Sequence, residues 1–232
     1  MPMPKWVRLP SDWIEAKGLR QLQWGGGVGS DNTAALMALM VIAHHSDADT
    51  GIAKITYDAL CKATSLSRAK LSNGLDVLAG LKVIERSPAG RSTYQLSNFD
   101  RDRGWAMLPA RCLYSASRIA AFKDFKLRSA TELNAMKLYF LFAARRGRDT
   151  NMANISFDKI EEYAGVERQR IKAATSLLAT ASFAYIERVP SNTNEYGVAN
   201  AYRLAGLESN NHMGTRGRGL DAVDSDWSIA AE

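Results

Sequence analysis

Two ten-residue stretches carry side chains of the types that read base edges. "LSRAKLSNGL" at 66–75 holds Ser67, Arg68, Lys70, Ser72 and Asn73, and "VERQRIKAAT" at 166–175 holds Arg168, Gln169, Arg170 and Lys172. Arg and Lys can pair with guanine O6 and N7, and Asn and Gln with adenine, each good bidentate pair contributing about 1–3 kcal/mol of discrimination. The same side chains would also solvate the outer face of an ordinary amphipathic helix, and residue type alone does not separate base contacts from phosphate contacts.

The two stretches belong to an internal repeat. Residues 49–79, "DTGIAKITYDALCKATSLSRAKLSNGLDVLA", align without a gap to 149–179, "DTNMANISFDKIEEYAGVERQRIKAATSLLA". Ile55, Asp58, Arg68, Leu78 and Ala79 recur as Ile155, Asp158, Arg168, Leu178 and Ala179. Outside this block, "WVRLP" at 6–10 matches "WAMLP" at 105–109, "VIER" at 83–86 matches "YIER" at 185–188, and "YQL" at 94–96 matches "YRL" at 202–204. The chain therefore reads as two copies of one domain, 1–100 and 103–208, with a tail at 209–232 whose Gly, Asn, Ser and acidic residues predict disorder.

Each copy must position its polar stretch with the same elements. A first helix is expected over about 32–45 and 130–146, with Leu36, Leu39, Met40 and Ala43 on one stripe. A second should start at Thr56 or Ser156, whose hydroxyls can cap it, with Asp58 or Asp158 near the positive end of the helix dipole. After a turn at 64–66 or at Gly165, a third helix from about 67 to 80 buries Leu71, Leu75 and Leu78, and its counterpart buries Ile171, Leu177 and Leu178. Ala69 and Gly74 are small enough to let that helix approach a surface closely. "KVIERSPAGRSTYQL" then reads as a hairpin. Its polar tip residues Arg86, Arg91 and Ser92, and Arg188, Asn192, Asn194 and Arg203 in the second copy, suit phosphate or minor-groove contacts as well as plain solvation.

Three helices followed by a two-stranded hairpin resemble the winged helix-turn-helix, over about 200 of the 232 residues. The resemblance implies a mostly α fold with small β-hairpin wings and two tandem winged helix-turn-helix domains. It implies that the third helix of each copy enters the major groove of double-stranded DNA. A chain of this size with two such modules looks most like a plasmid-type replication initiator, and "LRSATELNAMKLYFLF" at 127–142 is loosely similar to the start of such a protein's second domain. The resemblance leaves open a transcription regulator covering an operator as a covalent pseudo-dimer, and a protein-interaction module built on the same scaffold. Host replication or transcription proteins and a second copy of the chain are the further partners it suggests.

Composition is that of a globular protein, with 46% apolar and 23% charged residues and a net charge of +6. Eleven Lys or Arg stand against three acids in 101–148, an excess that would attract a polyanion. No run approaches the 18 or so apolar residues of a membrane helix, and the N-terminus lacks a signal core, so a cytoplasmic location is expected. Cys61 and Cys112 lack disulfide or zinc spacing and are expected to be small buried apolar residues. His44, His45, Asp47 and Asp49 are metal-competent types, but "ARRGRDTN" stands at the same place in the second copy, so no metal is expected. "WGGGVG" at 24–29 lacks the Lys-Ser/Thr of a phosphate loop and reads as a connection. No nucleophile-base or paired-carboxylate arrangement can be placed, so neither catalysis nor a cofactor is expected.

Overall fold

A computed structural model describes residues 3–87, 89–190 and 198–207. The first copy runs β1 (Trp6–Pro10), α1 (Asp12–Glu15), α2 (Gly29–His44), β2 (Ile52–Lys54), α3 (Tyr57–Thr64), α4 (Arg68–Gly80), β3 (Ile84–Arg86) and β4 (Thr93–Leu96). The second runs β5 (Trp105–Pro109), the ribbon β6 (Tyr114–Ser115) and β7 (Arg118–Ile119), α5 (Ala130–Ala144), β8 (Met152–Asn154), α6 (Phe157–Ala164), α7 (Arg168–Thr180), β9 (Ala184–Pro190) and β10 (Val198–Leu204). The expected tail at 209–232 lies outside the described residues.

The helix boundaries follow local chemistry. Thr56 Oγ1 accepts the Ala59 N–H at 3.2 Å and Ser156 Oγ accepts the Lys159 N–H at 3.3 Å, so both hydroxyls cap as their positions predict. Ser65 and Gly165 end α3 and α6 at a φ of 61°, a left-handed conformation open to glycine and costly for serine. The architecture is mixed α/β rather than mostly α. Each hairpin is widened to three antiparallel strands, in the orders β2-β4-β3 and β8-β10-β9. Three-residue β2 and β8 are too short to show alternation, so sequence pattern could not find them.

Strand register corrects one of the repeat matches. Ile84 pairs with Leu96 and Ala184 with Leu204, while Arg86 opposite Tyr94 corresponds to Ile186 opposite Tyr202. The 100-residue offset therefore persists into the first hairpin strand, and "VIER" corresponds to 183–186 rather than to "YIER". Buried Val83 has buried Phe183 as its counterpart. Arg188 thus lies two residues further along the wing than Arg86, opposite Asn200.

The first helices do not keep a single buried stripe. Every residue from Asn32 to His44 and from Glu132 to Ala143 is buried, because α2 and α5 pack on each other and on α4 and α7 respectively. One continuous cluster of buried residues runs through both copies. The matched "WVRLP" and "WAMLP" runs pair with one another: β1 and β5 are antiparallel, with Arg8 opposite Met107 and each strand's Trp opposite the other's Pro. Equivalent residues of the two copies exchange places across this ribbon, which makes it a local twofold axis. Trp6 and Trp105 stack at 5.9 Å, with the Arg8 guanidinium 5.7 and 5.0 Å from their ring centres.

Each copy also reaches across to hold the other's second helix. Residues 12–22 lie on α6: Lys17 pairs with Glu162 at 2.8 Å, and Arg20 donates to the Glu161 and Glu162 carbonyls at 3.0 Å, serving the open end of α6. Glu15 pairs with Arg145 at 2.7 Å, and buried Lys137 donates to the Leu22 carbonyl at 3.0 Å. Burial lowers the Lys137 pKa to about 8. In the reciprocal place, the β6–β7 ribbon lies on α3, and the Tyr114 hydroxyl sits 3.1 Å from Nδ1 of buried His44, whose pKa burial lowers to about 3.

Candidate nucleic-acid interface

α4 turns Leu71, Leu75 and Leu78 into the core, as its spacing predicts. Gly74 faces inward too: a Cβ there would stand 2.8 Å from the Ala34 and Ala35 backbone, so the glycine serves close packing against α2 rather than approach to a ligand. Ser67 caps α4, its Oγ accepting the Lys70 N–H at 3.3 Å. Arg68 is exposed, ion-paired with Asp58 and set over the Tyr57 ring at 5.6 Å. Lys70 turns to the start of α2, 2.6 Å from Asp31 and 2.9 Å from Ser30 Oγ. Asn73 donates to the same Asp31 carboxylate at 3.2 Å. Ser72 is half-buried, and its carbonyl accepts from Arg86, which also pairs with Asp76 at 3.0 Å.

α7 keeps its cations further out. Ile171 and Leu178 are buried, Leu177 is half-buried, and Thr175 fills the place of Leu75 by donating to the Ile171 carbonyl at 3.0 Å. Arg168 pairs with Asp158 at 2.7 Å over the Phe157 ring, repeating the arrangement of Arg68. Arg170 pairs with Glu167 at 3.0 Å, and Gln169 donates to the same carboxylate at 2.9 Å. Lys172 is exposed and makes no ion pair among the described residues. Arg168 and Asp158 are two-thirds or more exposed, and such pairs contribute at most about 1 kcal/mol, so a phosphate could displace the carboxylate. Lys70 and Asp31 are only 32% and 20% exposed, so that pair is held more firmly.

The wing residues divide. Arg91 is exposed in the turn between β3 and β4, and Arg188 is exposed on β9. Arg203 is held by Glu187 at 3.0 Å, while Asn192 and Asn194 lie outside the described residues. β9 also exposes Tyr185 and Ile186, two large apolar side chains that the false "VIER" match concealed.

The cation excess of 101–148 separates into structural and free charge. Arg101 and Arg103 pair with Asp49 and Asp100, Arg145 with Glu15, and Lys137 is buried. Arg118 on β7 and Lys123, Lys126 and Arg128 between β7 and α5 stay exposed and make no ion pair among the described residues. The Glu132 carboxylate holds that segment by accepting the Lys126 and Arg128 N–H groups at 2.7 and 3.2 Å. Sequence reasoning marked the segment by its charge without singling out these four residues. It also missed the pairing of Asp31, Glu167 and Asp76 with Lys70, Arg170 and Arg86, because two of these pairings join different elements.

Cys112 is exposed and Cys61 half-buried, so neither is the fully buried apolar residue expected. "WGGGVG" forms a turn into α2, where Gly29 meets the Trp24 ring. Among the described residues no three His, Cys, Asp or Glu side chains converge as a metal site would require, and no helix is long and apolar enough to cross a membrane. No protein-family model matches the chain, and no curated protein matches it either.

Proposed function

We propose that the chain binds double-stranded DNA through two tandem winged helix-turn-helix modules, with α4 and α7 as recognition helices and the β3–β4 and β9–β10 hairpins as wings. The observation that carries this reading is the antiparallel β1–β5 ribbon, in which equivalent residues of the two copies exchange places about a local twofold axis, together with an exposed Arg at the start of the third helix of each copy. A twofold pair of recognition helices suits inverted half-sites on one duplex. The outer faces differ, Ser72 and Asn73 against Lys172 and Ala173, so the half-sites differ in sequence.

The role that fits the resemblance to plasmid-type initiators is replication initiation or maintenance of a plasmid or mobile element: recognition of origin repeats, DNA bending or strand opening, and recruitment of host factors. The same twofold ribbon favours a second reading, a transcription regulator seated on a single palindromic operator. Selection of bound sequences from a random duplex pool tests the shared reading: imperfect inverted half-sites with salt-dependent affinity are expected, and absence of salt-dependent binding to any duplex overturns it. Footprinting on native DNA then separates the roles. Several direct copies of the site beside an AT-rich stretch indicate replication, and one site over a promoter indicates regulation.

A further inference from the structure

A groove of about 530 Å³ lies between α3 and the β6–β7 ribbon. Met3, Ile55, Ala59, Ala63 and Tyr114 give it apolar walls, and Lys62 and Arg111 bring positive charge. Among the described residues no carboxylate lines it. Its volume is that of an ordinary small-molecule site, mostly apolar with a few placed polar groups.

The repeat indicates what fills such a space. One hundred residues on, Ala59, Lys62 and Ala63 become Lys159, Glu162 and Tyr163, and His45 becomes Arg145. There, side chains of the helix and the reaching segment meet directly. The Tyr163 ring lies 3.9 Å from the Arg145 guanidinium carbon, and the Glu162 carboxylate is gripped by Lys17 at 2.8 Å and Lys159 at 2.9 Å. One ring and one adjacent carboxylate thus stand at that contact. The first copy has an alanine in place of the ring and a lysine in place of the carboxylate, and its reaching segment supplies Arg111 rather than an acid.

We propose that this groove binds a small aromatic carboxylate, whose ring takes the place that Tyr163 occupies in the second copy and whose carboxylate takes that of Glu162. The ring lies against Ile55, Ala59, Ala63 and Tyr114, and the carboxylate meets Lys62 and Arg111. An anion without a ring leaves the apolar walls uncovered, and a neutral ring leaves the two cations without a partner. This proposal stands independently of DNA binding.

The test is calorimetric titration of the full chain with 1-naphthoate, against acetate and 2-naphthylmethanol as probes lacking the ring or the charge. Saturable one-to-one binding of naphthoate, at least about tenfold tighter than either control, is expected. Ala63→Tyr, which imports the second copy's filler, and Lys62→Glu, on an exposed position whose change leaves the core intact, each weaken it about tenfold or more. Failure of naphthoate to outbind the controls overturns the proposal, as does undiminished binding to Lys62→Glu.

Discussion

Around α6, Glu162 pairs with Lys17 and Lys159 and Tyr163 lies under Arg145, whereas around α3 the same positions hold Lys62 and Ala63 and the contact opens into a groove. The helix starts repeat more faithfully: Thr56 and Ser156 cap alike, and Arg68 and Arg168 pair with Asp58 and Asp158 alike. The difference teaches which constraints act on a duplicated unit. A cap must satisfy backbone groups that every copy exposes, so its chemistry recurs. A contact between copies must only exclude water and balance charge, so either side can do it with different side chains or leave it to a ligand.

The third helices differ in the same way. On α4, Lys70 and Asn73 share Asp31 of α2, while on α7 the residues Arg170 and Gln169 share Glu167, at the helix start. Lys70 is thereby committed to the fold, and the second copy carries more cation that a phosphate could reach.

The largest effect should come from stripping each face in turn. Replacing Arg168, Arg170 and Lys172 by Ala should lower duplex affinity about 100-fold, against about tenfold for Arg68 and Lys70, read by fluorescence anisotropy at fixed salt. Equal losses would break the asymmetry argued for the two copies. Gly74→Ala should destabilise the fold by about 1–3 kcal/mol in urea unfolding, since the added methyl meets the α2 backbone. Ala174→Gly, the reverse exchange, should cost only about 1 kcal/mol through backbone entropy. Ser65→Gly, importing the residue of the second copy, should stabilise by about 0.5–1 kcal/mol, because the left-handed conformation is strained for serine.

The smallest effect should be an acid one. Lys17 and Lys159 hold the Glu162 pKa down to about 2 from its ordinary 4.5. A depressed carboxylate contributes stability that is present above the unfolded value and lost as pH falls through the folded one. The parent chain should therefore lose more stability than Glu162→Gln between pH 4.5 and 2, read by chemical denaturation at each pH. Parallel profiles would remove Glu162 from the account of how α6 is held.

Much of each copy could be read locally. Thr56, Ser156, Gly165 and the Leu71, Leu75, Leu78 spacing place the second and third helices to within a residue or two, because capping and burial act within a turn or two of helix. The stripe expected on α2 failed because a helix between two partners is buried all round, and sequence period does not count partners. The candidate site was read in part: Arg68, Arg168, Gln169, Arg170, Lys172, Arg91 and Arg188 are exposed, but Ser67 is a cap and Lys70 is engaged with Asp31. Gly74 packs against α2 rather than facing outward, and smallness alone does not reveal which surface requires it.

The sequence by itself determined that the chain is a duplication, where its helices begin, and which cations sit at the start of each third helix, since all of these follow from neighbours along the chain. Only the tertiary structure decided that "WVRLP" and "WAMLP" pair with each other about a twofold axis, that a third strand completes each hairpin, and which acids restrain which cations. Those outcomes depend on which distant backbones and charges finally meet. Antiparallel pairing of two like strands and ion pairing between helices are long-range choices that no local pattern encodes.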